Sequence, residues 1–382
     1  MQLRLRHRGT AHRFFRLALV WLLAAGLGWA CPTPGLAISS NLAGSAVGWV
    51  VGQSLDGYGL IKHTTDGGTH WQRQGSGQIP DADLNGVFAV DQDYVWAVGG
   101  PAGGYGVILR TTDGGAHWLR QGTPDRTPNV QLLCVYAVSR KIAWAVGFQG
   151  VILHTTDGGN SWNRQGEGVA PPVLLQYVYA RDALNVWVIG AVSGTCGVIL
   201  HSTDGGASWQ RQTYTPRPDI LAPNLTCVHG NPPHTVWVVG NGTVMRSTND
   251  GETWVDLTPP DSGLFDFNGV YAVDANTVWL TRDQGGVFIW DGSQWQQQPT
   301  NHNGYEILRI SALDGETAWT VGGAVSPGIP LGVILFKEKN EAWTAQQSEQ
   351  VQLADVSFLA QKRVVLPGIF QLLFLSGATP AK

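Results

Sequence analysis

Seven carboxylates fall in segments rich in Gly, Pro and Asn: Asp81, Asp83, Asp219, Asp261, Asp266, Asp283 and Glu306. Two carboxylates about 5 to 10 Å apart across a cleft, one protonated and one ionised, are the groups that cleave glycosidic bonds. Similar segments carry the guanidinium groups of Arg126, Arg217, Arg282 and Arg309, and the phenols of Tyr58, Tyr105, Tyr214 and Tyr305. Arginine forks and tyrosines grip carboxylates and polar ligands. Spacing selects no acid–base pair among them, and each carboxylate also reads as a solvated turn residue. The sequence has no Ser-His-Asp elbow, HExxH or dinucleotide fingerprint, and GGPAGGYG lacks the strand-to-helix setting of a phosphate loop. No cofactor is expected. Cys134, Cys196 and Cys227 show no CxxC spacing, so no metal site is written in them. They read as buried thiols, with a Cys196–Cys227 pair as the open alternative.

What positions these groups is a repeat. The phrase TTDGGTHW at 64–71 returns as TTDGGAHW, TTDGGNSW and STDGGASW, and its closing tryptophans are Trp71, Trp118, Trp162, Trp209, Trp254, Trp295 and Trp343. Their spacings of 47, 44, 47, 45, 41 and 48 signal an array or a propeller. Trp49, Trp96, Trp144, Trp187, Trp237, Trp279 and Trp319 keep the same beat, and beyond the N-terminal segment only Trp290 lies outside the two registers. The chain has 382 residues, of which 50 are Gly and 20 Pro, while 14% are charged; this suits short strands and tight turns.

One unit reads as LNGVFAV, VWAVG, VILRT and HWLRQ, four short strands separated by turn clusters. The predicted fold class is therefore all-β, a β-propeller of four-stranded antiparallel blades. There are seven complete units, and a C-terminal stretch from Val351 repeats three strands of an eighth, with a strand from 31–40 expected to complete it. The count is thus eight blades, falling to seven if the tail replaces a weak opening strand near Asn41. The propeller is expected to occupy 41–382 as one domain.

In each TTDGG turn the aspartate accepts backbone N–H bonds and the glycines supply positive φ, so Asp66, Asp113, Asp157, Asp204, Asp250 and Asp291 are expected to be structural. In the fifth unit the phrase shifts to Asn249–Asp250–Gly251. His63, Arg110, His154, His201 and Arg246 repeat just before the turn, and Arg73, Arg120, Arg164 and Arg211 repeat on the last strand; both rows are expected to serve their own sheets. All these turns lie on one face. The longer, uneven loops lie opposite, and Tyr58, Tyr105, Arg126, Arg217, Arg282 and Tyr305 form the candidate binding face.

The pattern S/T-x-D-x-G-x-x-W on the third hairpin of each blade resembles the Asp-box, or BNR, repeat, which occurs in sialidases, other glycosidases and non-enzymatic propellers. The sequence has no Arg-Ile-Pro string of the kind sialidases carry. With VWAVG on the second strand and the C-terminal closure, the chain most resembles the photosystem II stability and assembly factor family. That resemblance implies a seven-bladed, non-catalytic propeller, exported to the lumenal or periplasmic side, that holds membrane-protein partners during assembly. A carbohydrate-active enzyme or carbohydrate-binding protein is the alternative.

Residues 1–30 have the form of a signal peptide or anchor, with five arginines before an apolar run from Leu17 to Ala30 and no acidic residue. Cleavage is expected after Ala30 or Ala37, and Cys31 is a candidate for lipidation. Membrane contact is expected only through this segment, and localisation is expected to be periplasmic, lumenal or extracellular. Losing its five arginines takes the net charge from −4 to −9. An acidic mature chain argues against a nucleic-acid partner and leaves protein partners, membrane proteins among them.

Overall fold

The computed structural model describes residues 46–359, apart from 195, 221–222, 261–264, 303, 325–330 and 340. Its strands form seven sheets, each of four antiparallel strands in meander order. In the second blade these are Leu84–Ala89, Val95–Ala102, Tyr105–Thr111 and Leu119–Arg120. The first three are apolar and almost wholly buried, because neighbouring blades cover both faces; the fourth is short and exposed. Uninterrupted runs such as VWAVGG fit a strand covered on both sides.

Of the two expected counts, seven holds, with the tail taking the place of an opening strand. Leu353–Leu359 pairs antiparallel with Val47–Leu55 and becomes the innermost strand of the first blade, ahead of Tyr58–Thr64 and Gln72–Arg73. The tail therefore fills the free edge of a three-stranded sheet, which a separate eighth blade would have left open. Cys31, the proposed closing strand within 31–40 and the tail beyond Leu359 lie outside the described residues.

Two layers of contact join the blades. Near the axis, each innermost strand of blades two to seven has a register shift at one place, between Leu84 and Gly86 in the second blade and between Phe267 and Gly269 in the sixth. The residue inside the shift reaches the next blade: Asn85 Nδ2 donates to Leu132 O at 2.7 Å, Thr226 Oγ1 to Phe267 O at 2.6 Å and Asn268 Nδ2 to Ile307 O at 3.1 Å. Further out, second-strand tryptophans pack edge-on against closing tryptophans of the next blade, as Trp96 does on Trp162 and Trp279 on Trp343. All seven second-strand tryptophans are fully buried. Trp290 is the Trp295 neighbour that fills the fifth–sixth interface against Trp237.

Candidate functional site

The recurring aspartates close turns. Thr111 Oγ1 donates to Asp113 Oδ1 at 2.8 Å and accepts from Gly115 N at 2.8 Å, while Asp113 Oδ1 also accepts from His117 N at 2.9 Å. The same bonds recur at Asp66, Asp157 and Asp204. The backbone bond from His117 leads the effects that hold the Asp113 carboxyl down at about 2, the sign of an acceptor fully engaged. In the fifth blade Asn249 makes these bonds, and Asp250 does not: it takes a positive φ and pairs with Arg181 and with His234 at 2.8 Å. Asp291 closes a shorter turn, accepting from Ser293 N and Gln294 N, both at 2.9 Å.

The row of basic residues before the turn is consumed by packing. His63, His154 and His201 stack on Trp49, Trp144 and Trp187 with ring centroids 4.2 to 4.6 Å apart. Burial lowers the pKa of all three, that of His154 to about 4. On the last strand, Arg73 and Arg120 each lie 3.8 Å over a tyrosine of the loop face, Tyr58 and Tyr105, and donate to carbonyls of the same loop. These two tyrosines of the candidate face are thus held at the outer edge. Arg126 is exposed there too, donating to Asn163 at 3.0 Å.

The loop-face carboxylates divide in two. Asp81 and Asp83 accept from Ser54, and Asp219 pairs with Arg217 at 2.8 Å; Asp261 lies outside the described residues. Asp266, Asp283 and Glu306 instead come together at the channel mouth of blades six and seven. Asp266 and Glu306 sit one residue before Phe267 and Ile307, at the ring position occupied by Asp83, Gln131, Leu174 and Asn224 in blades two to five. Asp283 N donates to Asp266 O at 3.0 Å. Burial, then the charges of Asp283 and Asp266, raise Glu306 to about 7; burial, then Asp266, raises Asp283 to about 6; burial raises Asp266. Burial, joined at Asp283 and Glu306 by neighbouring charges, thus favours the protonated form of these carboxyls.

Three of the six candidate face residues border this mouth. Arg282 precedes Asp283 and lies 4.2 Å from the Phe265 ring; Tyr305 precedes Glu306 and is buried; Arg217 donates to Gly242 O at 3.3 Å, beside the Asn241–Asp266 bridge. Beneath the mouth, the fully buried Arg309 fills the channel, donating to the carbonyls of Asn268, Leu308 and Thr226, with its guanidinium 5.3 Å from the Tyr177 ring. Arg309, offered by the sequence as a ligand-gripping guanidinium, is instead committed to backbone carbonyls, next to the register shift between Ile307 and Arg309. Tyr177 and Asn268 were missed, although their place in the innermost strand of each repeat is their signal. Further along the channel, Phe88, Tyr136, Tyr179, His229 and Tyr271 form an unbroken belt of rings 4.4 to 5.4 Å apart. Cys196 and Cys227 are free thiols, so the alternative pairing does not form, whereas Cys134 is disulfide-bonded, which corrects its reading as a thiol. Among the described residues no group of three or more His, Cys, Asp or Glu is arranged to hold a metal ion.

The sequence profile of the photosynthesis system II assembly factor YCF48 matches residues 77–173 and 130–255. No curated protein matches the sequence. Among solved structures, YCF48 bound to D1 peptide is 20% identical with a TM-score of 0.60, covering 82% of this chain and 94% of its own. YCF48 from Cyanidioschyzon merolae is 19% identical with a TM-score of 0.55, covering 78% and 97%. The GH74 xyloglucanase from Xanthomonas campestris is 14% identical with a TM-score of 0.58, covering 88% of this chain but 55% of its own. At these identities the structural likeness carries the fold. With seven closed blades and box turns of one geometry, the chain is an Asp-box (BNR) repeat β-propeller that resembles the photosystem II assembly factor family.

Proposed function

We propose that this protein is an exported, non-catalytic propeller that binds protein partners at the cell envelope, membrane proteins among them. The observation that carries this reading is the channel mouth: Asp266, Asp283 and Glu306 converge there without closing any turn, on the face where loops vary and in a fold whose solved counterpart holds a D1 peptide. The negative charge left after loss of the N-terminal arginines favours a partner that presents cationic side chains. Capture of envelope membrane proteins by the tagged chain, compared with a triple variant Asp266→Asn, Asp283→Asn, Glu306→Gln, tests the reading. Loss of the captured partner in a variant that still folds supports it; unchanged capture overturns it. Recovery of the chain in the cytosolic fraction of its own cell would overturn the export component.

One observation favours a second reading. Glu306, raised to about 7, keeps a substantial protonated fraction near neutral pH, as the acid of a glycosidase must, and a GH74 enzyme shares the fold. Turnover of a glycoside panel that disappears in Glu306→Gln would establish this reading in place of the first.

A further inference from the structure

A glutamine three places after the closing tryptophan ties four of the seven blades to the next; in the second blade Gln121 turns back to Leu119 O and Arg120 O, and the fifth blade has Leu257 at this place. Gln74 Nε2 donates to Gly114 O at 2.9 Å, Gln165 to Gly205 O at 3.1 Å, Gln212 to Asp250 O at 2.7 Å and Gln346 to Gly67 O at 2.9 Å. In every case the acceptor is the carbonyl just before the second glycine of the neighbouring box. That second glycine fits closely under the amide: a Cβ on Gly68, Gly115, Gly206 or Gly251 would lie 1.9 to 2.1 Å from the glutamine Oε1. Glutamine and glycine turn thus form one repeated joint on the box face.

Gln298 is the corresponding residue of the sixth blade, three places after Trp295. Across from it, the seventh blade has no glycine turn. Its hairpin reads KEKNEAW and is drawn together by Glu341 N to Glu338 O at 3.0 Å and by Lys337 Nζ to Glu341 O at 2.8 Å. A cleft of about 570 Å³ opens there, with Gln298, Gln296, Thr277, Ile289, Gly315 and Lys337 on its walls. The interior of the same interface stays closed, with Trp279 edge-on to Trp343 and Trp279 Nε1 donating to Asp314 O at 2.9 Å. Gln298 forms no hydrogen bond through its side chain among the described residues.

We propose that this cleft is a docking site for a glycine-containing β-turn of a protein partner, whose backbone carbonyl accepts from Gln298 Nε2 as Gly114 O accepts from Gln74. The four intact joints define the occupant: a turn with positive φ at a residue lacking Cβ, approaching with its carbonyl toward the glutamine. The site lies on the face opposite the channel mouth and does not rest on the function proposed for that mouth.

The test uses the full-length chain and a fluorescent cyclic peptide carrying TTDGGAHW, the chain's own second box. The expected result is saturable binding, weakened about tenfold by Gln298→Ala, the loss of one desolvated hydrogen bond, and abolished by Gln298→Trp, which fills the cleft. Gln74→Ala, at a joint already occupied, leaves peptide affinity unchanged. Melting curves of each variant establish that it is folded. Absence of saturable binding to the parent chain, equal affinity in Gln298→Ala, or equal binding of a cyclic peptide with both glycines replaced by alanine overturns the proposal.

Discussion

Trp319 of the seventh blade stacks on Phe358 of the C-terminal strand with ring centroids 3.8 Å apart and planes 11° from parallel, and its Nε1 donates to Gly67 O of the first blade at 2.9 Å. Phe358 belongs to the first blade, so one tryptophan holds both chain ends of the ring. Its neighbours Asp355 and Ser357 continue the closure into the second blade, accepting from Val87 N at 3.0 Å and Ala89 N at 3.2 Å.

Ending the chain after Gln352 removes this strand and exposes the inner edge of the first blade. The truncated protein is expected to lose cooperative unfolding and to aggregate, and a synthetic peptide spanning 351–360 added during refolding restores the native circular dichroism spectrum. A truncated chain that melts like the parent would show that closure lies elsewhere.

The fifth blade shows that an amide serves in the box. Asp113→Asn therefore keeps the bonds to Thr111 and His117 as Asn249 keeps those to Ser247 and Thr253, and costs less than about 1 kcal/mol; Asp113→Ala leaves turn donors unmatched and costs about 1 to 3 kcal/mol. Urea unfolding of the two variants side by side separates these values. Neither change alters partner binding by the folded protein.

Gly115 has φ of +92°, and a Cβ there would lie 1.9 Å from Gln74 Oε1. Gly115→Ala is expected to cost about 1 to 3 kcal/mol through backbone strain alone, and more through displacement of the amide. A double-mutant cycle with Gln74→Ala should show positive coupling, because the second change removes the clash and leaves only the strain.

His154 is neutral in the fold, with burial lowering it to about 4 against about 6.5 in the unfolded chain. The unfolded chain therefore takes up the proton first, and stability falls as pH drops from about 6.5 toward 4. The seventh blade uses Phe336 in this role, 5.0 Å from Trp319. His154→Phe is accordingly expected to keep the stack and flatten part of the acid limb of a plot of Tm against pH.

Glu306 has the opposite sign. Its pKa is raised to about 7, so the fold binds more protons than the unfolded chain between about 4.5 and 7, and stability falls as pH rises through that window. Glu306→Gln mimics the protonated form. Its Tm is expected to match the parent below pH 4.5 and to exceed it by a few degrees, roughly 2 to 5 °C, above pH 7.

The period of the tryptophans and the strand–turn alternation were enough to read the blade, the box turns and their structural role, because these depend on contacts within a few residues. Trp290 was legible only as an exception; the interface it fills, against Trp237 from the preceding blade, was not. The assignment of Asp250 to a box failed for a local reason: with Asn249 one place earlier, the side chain at the acceptor position is the amide. Tyr58 and Tyr105 looked free in the sequence because the arginines that cover them stand 15 residues later, on another strand.

The order of residues by itself determined the repeating unit, since hydrophobic alternation, glycine at positive φ and a turn acceptor are local requirements. Only the closed ring decided that the blades number seven, that Leu353–Leu359 pairs with a strand some 300 residues earlier, and that Asp266, Asp283 and Glu306 share one mouth above Arg309. Those outcomes depend on which sheet edge lies free and which innermost strands meet at the axis, and such meetings are set by the geometry of the whole circle.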